Sequence, residues 1–168
     1  LSALRCNTTA NSNTAVGMDS LGANTTGTAN VAVGRNAGDA ITTGSCNVAI
    51  GFGSLTTNIT GASNVAIGRD TLASNTASAN TAVGHQTLVS NTTATSNTGL
   101  GFRSLYNNTT GGGNTASGYQ TLYTNTTGAY NVAIGCRALF ANTTASYNVS
   151  IGLQSSLSNT TGTQNVVA

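Results

Sequence analysis

The pentapeptide NVAIG stands at Asn47–Gly51, at Asn64–Gly68 and again at Asn131–Gly135, and near copies fill most of the chain between and around them. The leading asparagine recurs at Asn13, Asn30, Asn47, Asn64, Asn80, Asn97, Asn114, Asn131, Asn148 and Asn165. Each step is 17 residues, except the 16 from Asn64 to Asn80. The glycine four residues later is kept in every complete copy, at Gly17, Gly34, Gly51, Gly68, Gly84, Gly101, Gly118, Gly135 and Gly152. The unit reads N-[TV]-A-[VI]-G-x-x-[AST]-L-x-x-N-T-T-G-x-x. Its positions are numbered 1 to 17 from the asparagine. A period of 17 is too short for helix-pair repeats, which need more than about 30 residues, and fits one coil of a β-solenoid.

Within the unit, Thr/Val at position 2 and Val/Ile at position 4 alternate with a small residue, which is the period of a strand. The expectation is that positions 2 and 4 face the core and the alanine of position 3 faces out, where its small size lets sister chains pack closely. Leucine at position 9 (Leu21, Leu55, Leu72, Leu88, Leu105, Leu122, Leu139) supplies core from the opposite wall. Glycine at position 5 turns the chain at positive φ, and N-T-T-G closes the coil with turn chemistry. The predicted fold is therefore all-β: a parallel β-solenoid of about ten coils, one per 17 residues. Stacked coils about 4.8 Å apart line equivalent residues into files. The position 1 asparagines are expected to form a hydrogen-bonded structural ladder.

Composition narrows the function. Charged residues are 5% of the chain, against about 25% in ordinary domains; Lys, Glu, Pro and Trp are absent. A net charge of +2 is too weak a field for nucleic acid to be the partner. No apolar run is long enough to span a bilayer. The repeat covers residues 1–168 as a single array. It begins and ends mid-repeat, so the expectation is a fragment of a longer fibre or a unit that stacks on copies of itself. Stability in such arrays sums many coil–coil interfaces.

The segments NTAVG, NVAVG and NVAIG resemble the head repeats of trimeric autotransporter adhesins, which are parallel β-rolls. The longer unit NVAIGCRALFANTTAS at Asn131–Ser146 is similar to repeats of tail fibres and bacterial surface fibres. The resemblance implies an elongated, oligomeric fibre that is extracellular or on a cell or virion surface. The adhesin units are shorter than 17 residues, which leaves handedness and oligomer packing open.

Catalytic chemistry finds no support. Asp19 and Asp70 share position 7 three coils apart, roughly 14 Å by the stacking distance. Paired-carboxylate hydrolysis needs about 5–9.5 Å. His85 has no Cys or Asp partner in its coil, and no His/Cys cluster has metal-ligand spacing. The expectation is a non-enzyme without metal or cofactor. Cys6, Cys46 and Cys136 lie at different corners and are expected to be unpaired. Sequons at Asn7, Asn24, Asn58, Asn91, Asn108, Asn125, Asn142 and Asn159 form a file at position 12, a candidate column of covalent N-glycans; the same N-T-T-G is equally good turn chemistry. Phe102, Tyr106, Tyr119, Tyr123, Tyr130, Phe140 and Tyr147 crowd the C-terminal half outside the expected core, as candidates for chain–chain packing or contact with carbohydrate. Three functions remain: a fibre segment, a carbohydrate-binding adhesin or tail-fibre module, and an ice-binding solenoid. The last is disfavoured because adjacent threonines point to opposite faces, leaving one outward file.

Overall fold

The computed structural model describes residues 2–168. Among these residues it contains strands and no helix: β1 (Thr14–Val16), β2 (Val31–Val33), β3 (Val48–Ile50), β4 (Val65–Ile67), β5 (Thr81–Val83), β6 (Thr98–Leu100), β7 (Thr115–Ser117), β8 (Val132–Ile134), β9 (Val149–Ile151) and β10 (Val166–Val167). The strands pair in chain order as one parallel sheet. Register is position on position, as in Val48↔Val65, Ala49↔Ala66 and Ile50↔Ile67. The chain is an all-β parallel solenoid.

The short coil keeps this register, with Val65 opposite Thr81 only 16 residues on. Its missing residue belongs to position 14. Asn75 reaches the carbonyl of Ala77 two residues away, where Asn58 reaches that of Gly61 three away. The deficit is absorbed in the turn before β5, where no ladder has to shift.

Coil-to-coil hydrogen bonds continue well beyond the strands. Position 9 donates to position 8 of the next coil (Leu55 N–H to Thr71 O, 3.1 Å), and position 11 donates to position 10 (Ala23 N–H to Asp39 O, 3.0 Å). Positions 5 and 7 donate to the preceding coil, as from Gly34 to Val16 O at 2.7 Å and from Asn36 to Met18 O at 2.9 Å. Most of each circuit therefore stacks on its neighbours, although only three residues per coil are regular strand.

The corners are made by left-handed residues rather than loops. Position 5 glycines have φ from 122° to 140°. Positions 7, 9 and 17 are left-handed without being glycine, for example Gln86 (φ 56°), Leu88 (φ 52°) and Ala79 (φ 60°). A non-glycine residue pays roughly 1–2 kcal/mol for this conformation. The hydrogen bonds from both neighbouring coils hold it there.

The core corrects the expected facing of the strands. The position 3 residues Ala32, Ala49, Ala66, Ala82, Ala116 and Ala133 are fully buried, whereas Ile67, Leu100, Ile134 and Ile151 at position 4 are 36–44% exposed. Position 2 is half-buried, as at Val48 and Val65. The physical reason is width. The position 9 leucines, all buried, cross the narrow interior and leave room only for a methyl group opposite. Alanine is therefore the core residue of the strand, and it cannot serve as the outward contact surface. Val and Ile take the outer face, where β-branching still suits an extended backbone.

Candidate functional site

The interior is as polar as it is apolar, and two asparagine files organise it. At position 1 every step of the ladder from Asn13 to Asn165 carries a bond from one asparagine's backbone N–H to the side-chain Oδ1 of the preceding one, at 2.9–3.0 Å. Direct amide-to-amide bonds are present at most steps, such as Asn47 Nδ2 to Asn30 Oδ1 at 3.1 Å. The expected ladder is there, and its constant rung is the backbone-to-amide bond. The same asparagines donate Nδ2 to the position 15 carbonyl of their own coil, as Asn13 does to Gly27 O at 2.8 Å.

The second file is position 12, read from the sequence as candidate glycan sites. Asn24, Asn58, Asn91, Asn108, Asn125 and Asn142 are fully buried. Their Nδ2 atoms, where a glycan would be joined, point inward. Asn125 Nδ2 donates to Asn108 Oδ1 (2.7 Å) and to Gly128 O (2.9 Å). A folded coil has no room for a sugar there, so these six positions are corrected from surface acceptors to interior struts. Asn7 is exposed and Asn159 half-buried at the two ends of the file; each donates to the backbone carbonyl three residues on. The sequence signal for burial was the regularity itself, because a buried amide needs the same partner in every coil.

Breaks in this file leave orphans. Ile41 replaces asparagine, and the buried Asn24 Oδ1 beneath it has no partner. Above the short coil's predecessor, Asn75 bonds only within its own turn, and Asn58 Oδ1 is likewise unpartnered.

The aromatic residues form stacked files on two outer corners. At position 6, Phe102 and Tyr119 stack at 5.4 Å and 7°, and His85 lies over Phe102 at 5.4 Å. At position 10, Tyr106, Tyr123 and Phe140 stack at 5.1 and 5.3 Å. Tyr130 and Tyr147 do the same at position 17, at 5.3 Å. Ring faces within these stacks are turned to one another, and ring edges face solvent. Flat stacking on a sugar therefore has few free faces to use.

The arginine spacing has a physical explanation in the same columns. Arg35 and Arg69 bracket Phe52, with guanidinium carbons 5.8 and 5.6 Å from the ring centroid. Arg103 lies against Phe102 and Tyr106 at 5.1 and 5.3 Å, and Arg137 over Phe140 at 4.3 Å. Position 7 alternates Gln86, Arg103, Gln120, Arg137 and Gln154, and Arg103 Nε donates to Gln86 Oε1 at 2.9 Å. One arginine every second coil avoids stacking like charges at about 4.8 Å and gives each a neutral partner.

The carboxylates do not assemble a catalytic pair. Asp70 contacts Arg69 at 3.2 Å on the surface. Asp39 has its pKa raised, chiefly by burial, opposed by its own and the Ala40 backbone N–H groups, and reinforced by the Asp19 charge. A raised folded-state pKa means the native chain holds this proton more tightly than the unfolded chain. The resulting stabilisation is complete below the ordinary aspartate range and is lost as pH rises through the folded-state value. Asp39→Asn is expected to remove that loss and make the neutral-pH melting temperature equal to or above the wild-type value, as thermal melts across acidic to neutral pH will show.

The threonines of position 13 bond their hydroxyls to the next coil's backbone, as Thr92 does to Thr109 O and Thr109 to Thr126 O, both at 3.0 Å. Position 14 is the exposed file. The three cysteines are free thiols. The described residues form no pocket, no group of three or more His, Cys, Asp or Glu, and no helix long and apolar enough to cross a membrane. The chain matches no protein-family model, no curated protein and no solved structure.

Proposed function

We propose that the chain is a structural segment of an extracellular fibre or filament, in which a rigid solenoid supplies reach and copies associate side by side. The observation that carries this reading is the unbroken position-on-position register from β1 to β10, which makes one rod rather than a scaffold around a site. The outer strand wall supports lateral association. Positions 2 and 4 present Val, Ile, Leu, Thr and Ser with no charge in any coil, and Ile67, Leu100, Ile134 and Ile151 are exposed there. An exposed apolar surface of this extent marks an interaction face.

Sedimentation and negative-stain microscopy of the purified chain test this. The expected result is elongated particles that associate laterally as concentration rises, with Ile67→Lys/Ile134→Lys returning them to single rods without loss of fold. A chain that stays monomeric throughout, or association indifferent to those substitutions, would contradict the lateral part of the proposal.

The second reading is a carbohydrate-binding adhesin or tail-fibre module. It is favoured by one specific feature, the alternating guanidinium and amide file at position 7 beside the aromatic edges.

A further inference from the structure

The charge of this chain is unevenly spread. Asp70 is the last acidic residue, while Arg103 and Arg137 lie beyond it, so the C-terminal half is purely cationic. Both arginines sit at position 7, half-buried on one corner. They are two coils apart, about 9.6 Å by the stacking distance. Gln86 lies below them, Gln120 between them and Gln154 above. Neither guanidinium meets a carboxylate, since the one ion pair among the described residues is Arg69–Asp70. Arg137 Nε is buried without a partner, although its repeat equivalent in Arg103 is satisfied by Gln86. The strip is walled by Phe102 and Tyr119 on one side and by Tyr106, Tyr123 and Phe140 on the other.

We infer that this strip binds an acidic polysaccharide in which charged and neutral sugar units alternate. The inference rests on the carbohydrate-binding reading and gives it a ligand class and a register. One sugar unit of an extended chain advances by nearly one coil, so a carboxylate on every second unit meets Arg103 and Arg137 in turn. The intervening neutral units lie over Gln120 and its neighbours, whose amides both donate and accept hydrogen bonds to hydroxyl and acetamido groups. The guanidinium supplies paired donors to each carboxylate. The aromatic walls present edges and tyrosine hydroxyls, which suits a chain lying lengthwise in the strip better than a sugar stacked on a ring face. Affinity per contact is small and accumulates along the rod through repetition. The same spacing disfavours a polyanion charged at every unit, because half of its carboxylates would face glutamine.

Binding of fluorescent oligosaccharides to the whole chain at low ionic strength tests this, with hyaluronan fragments as the alternating probe, polygalacturonate as the probe charged at every unit and dextran as the neutral one. Hyaluronan should bind saturably and ahead of both others, and binding should weaken as salt is added. Arg103→Gln and Arg137→Gln should each weaken it about fivefold, the upper range for an exposed ion pair. The decisive variant is Gln120→Arg/Arg137→Gln, which keeps the net charge but sets the cations one coil apart. It should lose the preference for hyaluronan and gain affinity for polygalacturonate. No saturable hyaluronan binding, equal binding of the two polyanions, or a swap without effect would each overturn the inference. Circular dichroism of each variant confirms the fold. Sedimentation of the same variants reads the fibre proposal separately, because none of these positions lies on the outer strand wall.

Discussion

Gly84→Ala is expected to destabilise the solenoid by about 4 kcal/mol or more, whereas the equivalent Gly152→Ala should cost about 1–3 kcal/mol, the range for a residue held in a sparsely populated backbone conformation. Both glycines have φ that side-chain-bearing residues rarely adopt, 132° and 126°. They differ in what lies above them. A Cβ on Gly84 would stand 2.5 Å from the carbonyl oxygen and 2.7 Å from the carbonyl carbon of Gly101, and 2.8 Å from Thr87 Oγ1. A Cβ on Gly152 meets nothing closer than Ser155 Cβ at 3.8 Å. Those obstacles at Gly84 are mostly backbone of the next coil, already fixed by the ladder, so they cannot step aside. The difference between the two variants therefore isolates the coil–coil contact from backbone strain. Denaturant titrations followed by circular dichroism measure it, and equal losses would mean that the close approach at position 5 is not what the fold depends on.

The second large effect lies in the coil that breaks two rules at once. It carries Gly38 where other coils have the core leucine, and Ile41 where they have the buried asparagine. The structure shows that one compensates the other. A Cβ on Gly38 would lie 2.9 Å from Ile41 Cδ1 and 3.3 Å from Leu21 Cδ2, so the isoleucine fills the space the leucine has vacated. Gly38→Leu alone should cost roughly 2–4 kcal/mol by overpacking. Ile41→Asn alone should cost a similar amount, about 2–4 kcal/mol, by leaving a cavity. The double substitution restores a consensus coil, gives Asn24 Oδ1 its missing donor, and should be at least as stable as the parent chain. The coupling is then about 3 kcal/mol or more, at or above the top of the range for contacting pairs. Near-additive losses would mean that the two substitutions do not share one space.

Much of this fold was legible because a repeat reports geometry many times over. The asparagine and glycine spacing gave the coil length, the parallel register and the position 1 ladder. Leu21 and its equivalents gave one wall of the core. The facing of the strand was not legible, because alternation reveals two faces without saying which is inside. Val and Ile suggested inward by hydrophobicity, yet parity alone held the correction. Asn47 and Ala49 lie two apart and share a face, so a buried asparagine file requires a buried alanine file. The position 12 asparagines were misread for a related reason. N-T-T-G is a surface turn in isolation, and only the stacked Asn108 and Asn125 amides show that each coil supplies its neighbour's hydrogen-bond partner. The pairing of Gly38 with Ile41 could not be found from sequence, since it depends on a volume shared across the coil interior. The arginine period was visible from the start; its meaning needed the columns that place Gln86 under Arg103 and Phe52 between Arg35 and Arg69.

The central claim is that equivalent positions form files even where the coil is one residue short. Nitroxide pairs across that coil test it most directly, in a chain whose three cysteines are replaced by serine. Labels on Ser74→Cys and Ser90→Cys, 16 residues apart at position 11, should show strong spin exchange, as expected for neighbours about 4.8 Å apart along a stack. Labels on Ser74→Cys and Asn107→Cys, two coils apart, should not. Exchange in the second pair, or its absence in the first, would contradict the stacking from which the fold and both functional proposals are built.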